Sequence, residues 1–250
     1  MSKELESKTI AGDLCRLALL LNTYQLCSDV SPLDNAGQSF LVKESPVWAY
    51  ELQKITFNNA DEVGGRIPHD ATQISISLTV SIASNVIEQD VIVNPLTALA
   101  VDIEVDGCRL NMGTGEVDDL YSCWHLDMHI EQDGDGVPKY SHPMYHFAFG
   151  GNRMEGRGEG FFGNGVILPS PRLMYPPMDA VLAIDFILQN YYQRETLQGI
   201  LSDPIYKEIV SNSQHLLWKP FFTSLYANWD NLGHNFAPNF TNKKLFPFYY

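Results

Sequence analysis

The segment from Gln73 to Ile82 reads QISISLTVSI and alternates without interruption. Ile74, Ile76, Leu78, Val80 and Ile82 fall on one side, and Ser75, Ser77, Thr79 and Ser81 on the other. Side chains alternate along an extended chain, so this pattern predicts a half-buried antiparallel strand. A sheet with one apolar face needs a second layer to cover it. The rest of the sequence must supply that layer.

Three further strands are expected beside it, over Leu96 to Val105 (ending at Asp106-Gly107), Leu120 to Glu131, and Tyr140 to Phe149. Asp133-Gly134-Asp135-Gly136 is a hairpin signal between the last two. Residues 38 to 58 read ambiguously: Phe40-Leu41-Val42 as a short strand, and Val47 to Phe57 as strand or helix. Helices are expected at both ends. Leu5 to Leu26 has a wide apolar face and no proline, with a loop following at Ser31-Pro32 and Asn35-Ala36-Gly37. Met178 to Tyr192 is apolar almost all round, which implies a central, buried helix. Ser202-Asp203-Pro204 opens another helix reaching about Trp218, with Pro220 as a break or kink.

The expected fold is therefore α+β, with an N-terminal helix, a central antiparallel meander of about four to six strands, and C-terminal helices packed on one face. The expected organisation is one domain over 1–250. It comprises a helix in 1–30, a sheet in 38–150, a Gly/Pro-rich connection in 150–177, and a helical, aromatic part in 178–250. A chain of 250 residues can bury a core without disulfides or metals.

Charge narrows the function. With 16 Lys+Arg against 30 Asp+Glu the formal net charge is −14, which argues against binding the nucleic-acid backbone. No window has the length of a membrane span, and MSKELESK at the start is not a secretory leader. Cys15, Cys27, Cys108 and Cys123 include no CxxC pair. Reduced thiols and a cytoplasmic location are the expectation.

The third strand carries Cys123, His125, Asp127 and His129 on one side, with Trp124, Leu126 and Met128 on the other. The fourth adds His142 and His146. Four of the seven histidines thus fall within 22 residues. A two-residue turn at Asp135-Gly136 would oppose His129 to His142 and His125 to His146, and a one-residue slip would separate the pairs onto opposite faces. Imidazoles with a carboxylate suit zinc, manganese or iron. His125, His129, His142 and His146 are the candidate metal ligands. Asp127 and Glu104 are candidate catalytic carboxylates, Glu104 because Asp102, Glu104 and Asp106 alternate on the preceding strand. The competing reading is a solvated sheet face with histidines bonded to carboxylates. The surrounding acidic residues are expected to favour a cation and to raise histidine pKa values.

Seven glycines lie within Gly150 to Gly165. Arg153 and Arg157 there are candidate anion-binding groups, or the segment is a lid. It contains no GxxxxGK[ST] pattern, and GxSxG is absent from the chain. The Glu131 to Gly136 run departs from a calcium loop at its first and last positions. In layout alone, the element order resembles ubiquitin-conjugating enzymes. Such an enzyme needs a cysteine after the meander, and none follows Cys123. Thioester transfer is therefore disfavoured.

Two functional expectations result. One is a metal-dependent hydrolase with a divalent transition metal on the sheet. The other is a non-catalytic binding or adaptor protein, or a homo-oligomer, that docks through Phe236, Phe240, Phe246, Phe248, Tyr249 and Tyr250. About half of the aromatic residues lie from Phe186 onward, so this end must pack against something.

Overall fold

The computed structural model describes residues 3–40, 48–57, 71–84, 91–129, 141–150, 154, 172–230 and 233–249. The fold is α+β. Helices α1 (Lys3–Thr23) and α2 (Ser31–Phe40) precede six strands: β1 (Ala49–Phe57), β2 (Ala71–Ser84), β3 (Leu96–Leu110), β4 (Val117–Met128), β5 (Tyr145–Phe149) and β6 (Leu173–Met174). The strands lie side by side in chain order, and every neighbouring pair is antiparallel. Helices α3 (Ala180–Tyr191), α4 (Arg194–Ser202) and α5 (Pro204–Ser213) follow. A π-helical turn (Gln214–Trp218), α6 (Lys219–Tyr226) and the short α7 (Asn242–Leu245) complete the chain.

The alternation in β2 decides which face is covered. Ile76, Leu78, Val80 and Ile82 are buried, as are Ile103 and Val101, the β3 partners of Leu78 and Val80, and Leu126, the β4 partner of Val101. Tyr50 and Leu52 on β1 continue the same apolar face. The helices lie against it: the Tyr50 hydroxyl accepts from the Ala180 backbone N–H at 3.0 Å, and the rings of Phe147 and Tyr145 meet Phe186 and Phe221. α3 enters the core because it is apolar on nearly every side, with Ala180 to Ile184, Ile187 and Leu188 all buried.

Several expectations about boundaries are corrected. Ser31 to Gly37 is helical, not a loop. Pro32 falls in the first turn, where its missing N–H leaves no helical bond unmade, and the Asp29 carboxylate accepts from the Ser31 N–H. Gly37 permits close packing on α1: a Cβ there would lie 2.7 Å from Cys15 Sγ and 3.0 Å from the Ala11 carbonyl oxygen. Val47 to Phe57 resolves as strand from Ala49 onward. Phe40 ends α2, and residues 41–42 lie outside the described residues.

β3 does not stop at Asp106-Gly107. Both residues stay in the ladder opposite Tyr121 and Leu120. The chain reverses later, where the Asn111 side chain accepts from the N–H groups of Gly113 and Thr114 and Gly115 adopts φ +76°. β4 starts earlier than expected for the same reason. Pro220 does not break the helical run; it sits at the first turn of α6, immediately after the π-turn.

The aromatic tail is partly core. Phe240 and Leu245 are fully buried, and the Ser224 hydroxyl donates to the Phe240 carbonyl oxygen at 2.8 Å. Phe248 remains 47% exposed. No helix among the described residues is long and apolar enough to cross a membrane.

Candidate functional site

The sheet face turned away from the helices is polar along its length. Reading across the ladder, Thr79, Asp102 and His125 stand in one row, and Ser77, Glu104 and Cys123 in the next. β5 then pairs with β4 so that Asp127 opposes His146 and His125 opposes Ala148. This register differs by two residues from the one that a two-residue turn would set. The turn itself lies outside the described residues. A two-residue displacement preserves the alternation, so His146 still shares a face with His125 and Asp127.

Three of the four histidines come into ring contact, and His125 shares their face of the sheet. The His129 N–H donates to the Met144 carbonyl oxygen at 2.7 Å, holding the end of β4 beside the residues that enter β5. His129 and His142 stack with ring centroids 3.9 Å apart, and His142 meets His146 edge-on at 4.5 Å. His125 Nε2 lies 3.5 Å from Asp127 Oδ2, so Asp127 orients a histidine from the same strand.

Their polar atoms are poorly satisfied. His125 Nδ1, His142 Nε2 and His146 Nδ1 are each buried with no hydrogen-bond partner among the described residues. An unpaired buried polar group costs about 1–3 kcal/mol. Native proteins keep few of them, and functional groups are a common exception.

The pKa expectation is reversed. His142 is pulled down to about 4 by burial, and further by His129 and by Arg172. His146 is pulled down to about 4 by burial, by His142 and by Arg172, against a hydrogen bond that its ring donates to the Pro143 carbonyl oxygen. Loss of hydration and mutual repulsion outweigh the acidic surroundings. Both rings are neutral at physiological pH, with lone pairs available to a metal or a donor.

Glu104 stands apart from this group. It accepts from the Tyr121 hydroxyl at 3.0 Å and pairs with Lys54 at 3.5 Å, while Lys54 also reaches Asp106 at 3.9 Å. These partners draw it toward β1. Cys123 shares the histidine face but is fully buried. Arg153 and Arg157 lie outside the described residues. Among the described residues, no three His, Cys, Asp or Glu side chains stand in a metal-holding arrangement. Lone pairs lie in the ring plane, so near-parallel stacked imidazoles direct them alongside one another, and coordination by both requires rotation of a ring about its χ angles.

Arg172 was missed in the sequence because nothing near it suggested a sheet edge. It immediately precedes the two-residue strand β6, where Met174 pairs with His146 and Leu173 with Phe147. Alternation returns Arg172 to the His146 face. Two residues of strand leave no periodic signal.

A separate cavity of about 280 Å³ lies among α1, the start of α3 and the π-turn, lined in part by Glu6, Asp13, Asp179, Ser213 and His215. Its buried acids are committed to structure. Asp179 caps α3 by accepting from the Leu182 N–H, and also accepts from the Ser213 hydroxyl at 2.7 Å. Asp13 is held by Arg16 and Asn212.

Comparison with protein-family models, curated proteins and solved structures finds no match to this chain.

Proposed function

We propose that this chain binds a divalent transition metal on the sheet face and hydrolyses a small substrate there. The observation that carries this reading is the three buried ring nitrogens, on His125, His142 and His146, that have no hydrogen-bond partner among the described residues. They are donor atoms of the right chemistry on one surface, held neutral where the pKa is lowered. His129 stacks on His142 and is the fourth candidate ligand. Zinc, manganese or iron held there would act as a Lewis acid and lower the pKa of water toward neutrality. Asp127 lies beside His125 and can fix its ring or accept a proton from the reacting water. Asp102, opposite His125 in the ladder, favours a cation at this face. The test is hydrolysis of p-nitrophenyl phosphate and p-nitrophenyl acetate by purified protein. Turnover that a chelator removes and zinc or manganese restores supports the reading. Metal-replete protein inert on both, and on a wider ester panel, overturns the hydrolytic part.

A second reading is a docking protein. It is favoured by Phe222, Tyr226 and Trp229, which recur at spacings of four and three and stand 48%, 49% and 70% exposed. Phe240 and Leu245 belong to the core, so the outer face of α6 with Phe248 is the better candidate surface than the whole tail. Light scattering of wild type and Trp229→Ser/Phe222→Ser protein tests self-association. A monomeric wild type removes the oligomer form of this reading.

A further inference from the structure

The histidine face contains a cation as well as imidazoles. Arg172 is half-buried, adjoins β6, and falls on the His146 side of the sheet. The Met174–His146 pairing sets this side by alternation, and the Arg172 charge contributes to lowering the pKa of both His142 and His146. A guanidinium does not lose its proton in a protein. Arg172 forms no ion pair with any described residue. Its guanidinium donors are therefore left to water or to a ligand. Of the carboxylates on this face, Glu104 and Asp106 face Lys54 toward β1, and Asp127 lies 3.5 Å from His125. An oxyanion is the group that this corner lacks.

We propose that Arg172 is the oxyanion anchor of the histidine site and holds a phosphoryl or carboxylate group of the substrate next to His142 and His146. This rests on the histidine face being a ligand site, and it names the substrate class. A guanidinium presents two parallel N–H donors to two oxygens of one anion, which fixes orientation as well as position. The remainder of the substrate is then directed over Asp127 and His125, because those residues follow His146 across the ladder. The net charge of −14 disfavours anions in general, so binding here depends on the local charge of Arg172.

Calorimetric titration of the full chain tests the assignment with methylphosphonate and acetate as probes, each in metal-free and zinc-loaded protein. Wild type is expected to bind one of them, and Arg172→Gln to bind it at least tenfold more weakly. Arg172→Lys should recover part of the loss. Arg109→Gln, at the far end of the sheet where Arg109 pairs with Asp118, should bind like wild type. The preferred probe separates a phosphoryl from a carboxylate substrate. A zinc titration of the same proteins reads the metal site independently, and Arg172→Gln should leave zinc affinity unchanged. If zinc fails to bind, the metal reading falls, while Arg172-dependent anion binding to metal-free protein still supports the anchor. If wild type binds neither probe, or Arg172→Gln binds as tightly as wild type, the anchor is wrong whatever zinc does. Thermal melts matched to wild type exclude unfolding as the cause of a loss.

Discussion

The imidazoles of His129 and His142 lie face to face, with centroids 3.9 Å apart and planes 19° from parallel. One ring immediately follows β4 and the other precedes β5, so the stack ties together two segments separated by residues 130–140. His146 closes the group edge-on against His142. Three imidazoles are in contact, and the two on His142 and His146 are pushed down to about 4.

That cluster costs stability. His146 is 4% exposed, and its Nδ1 has no partner among the described residues. His146→Leu removes the unpaired nitrogen and keeps similar volume. Metal-free protein in chelator at pH 7.5 should gain about 1 kcal/mol in urea unfolding, the order of an unsatisfied polar group. A loss of similar size would mean that the imidazole has a structural bond.

Gly37→Ala tests the contact between α1 and α2. The new methyl would meet Cys15 Sγ at 2.7 Å and the Ala11 carbonyl at 3.0 Å. Overpacking of this kind costs about 1–3 kcal/mol, against a small gain in helix propensity. Urea midpoints should fall accordingly. An unchanged midpoint would mean that the helices separate freely.

Asp179 governs part of the pH dependence. Burial pushes its carboxyl up to about 6, against the opposing bonds from Leu182 and Ser213. The unfolded carboxyl loses its proton near the ordinary carboxylate value, whereas the native one keeps it to about 6. The native state therefore binds more protons in between, and this group's contribution is full below about 4 and is lost as pH rises through 6. Asp179→Asn keeps a cap acceptor and cannot titrate. The difference in unfolding free energy between variant and wild type should shift in the variant's favour from pH 4 to pH 7. A pH-independent difference would contradict the assignment.

Tyr145 and Asn94 form a buried pair: the phenol donates to Asn94 Oδ1, which also accepts from the Leu96 N–H. Tyr145→Phe should cost about 1–2 kcal/mol by removing a buried hydrogen bond without changing packing. Chemical denaturation with an unchanged slope would check it.

Legibility varied with the length of the periodic signal. Ile74 to Ile82 alternates over enough residues to fix both the strand and its buried face. α3 is apolar enough that its burial follows directly. Ser31 to Gly37 misled because Pro and Gly usually mark turns, while here each fits a helix for its own reason, Pro32 by position and Gly37 by contact. Asp106-Gly107 misled in the same way: Gly107 stays paired with Leu120 of β4 while the β2 side of the ladder has an irregularity there. The shared face of His125, Asp127 and His146 was legible from parity. Their register was not, because it depends on a turn whose length the residues leave open. Arg172 was invisible because its role comes from a strand of two residues.

The most direct measurement is metal content by mass spectrometry of protein purified without added metal and without chelator, for wild type and for His142→Ala and His146→Ala. The account predicts close to one zinc, manganese or iron per wild-type chain and a large loss in both variants, with circular dichroism unchanged. Wild-type protein that holds no transition metal, and takes none up with micromolar or better affinity when zinc, manganese or iron(II) is supplied at pH 7.5, would contradict it.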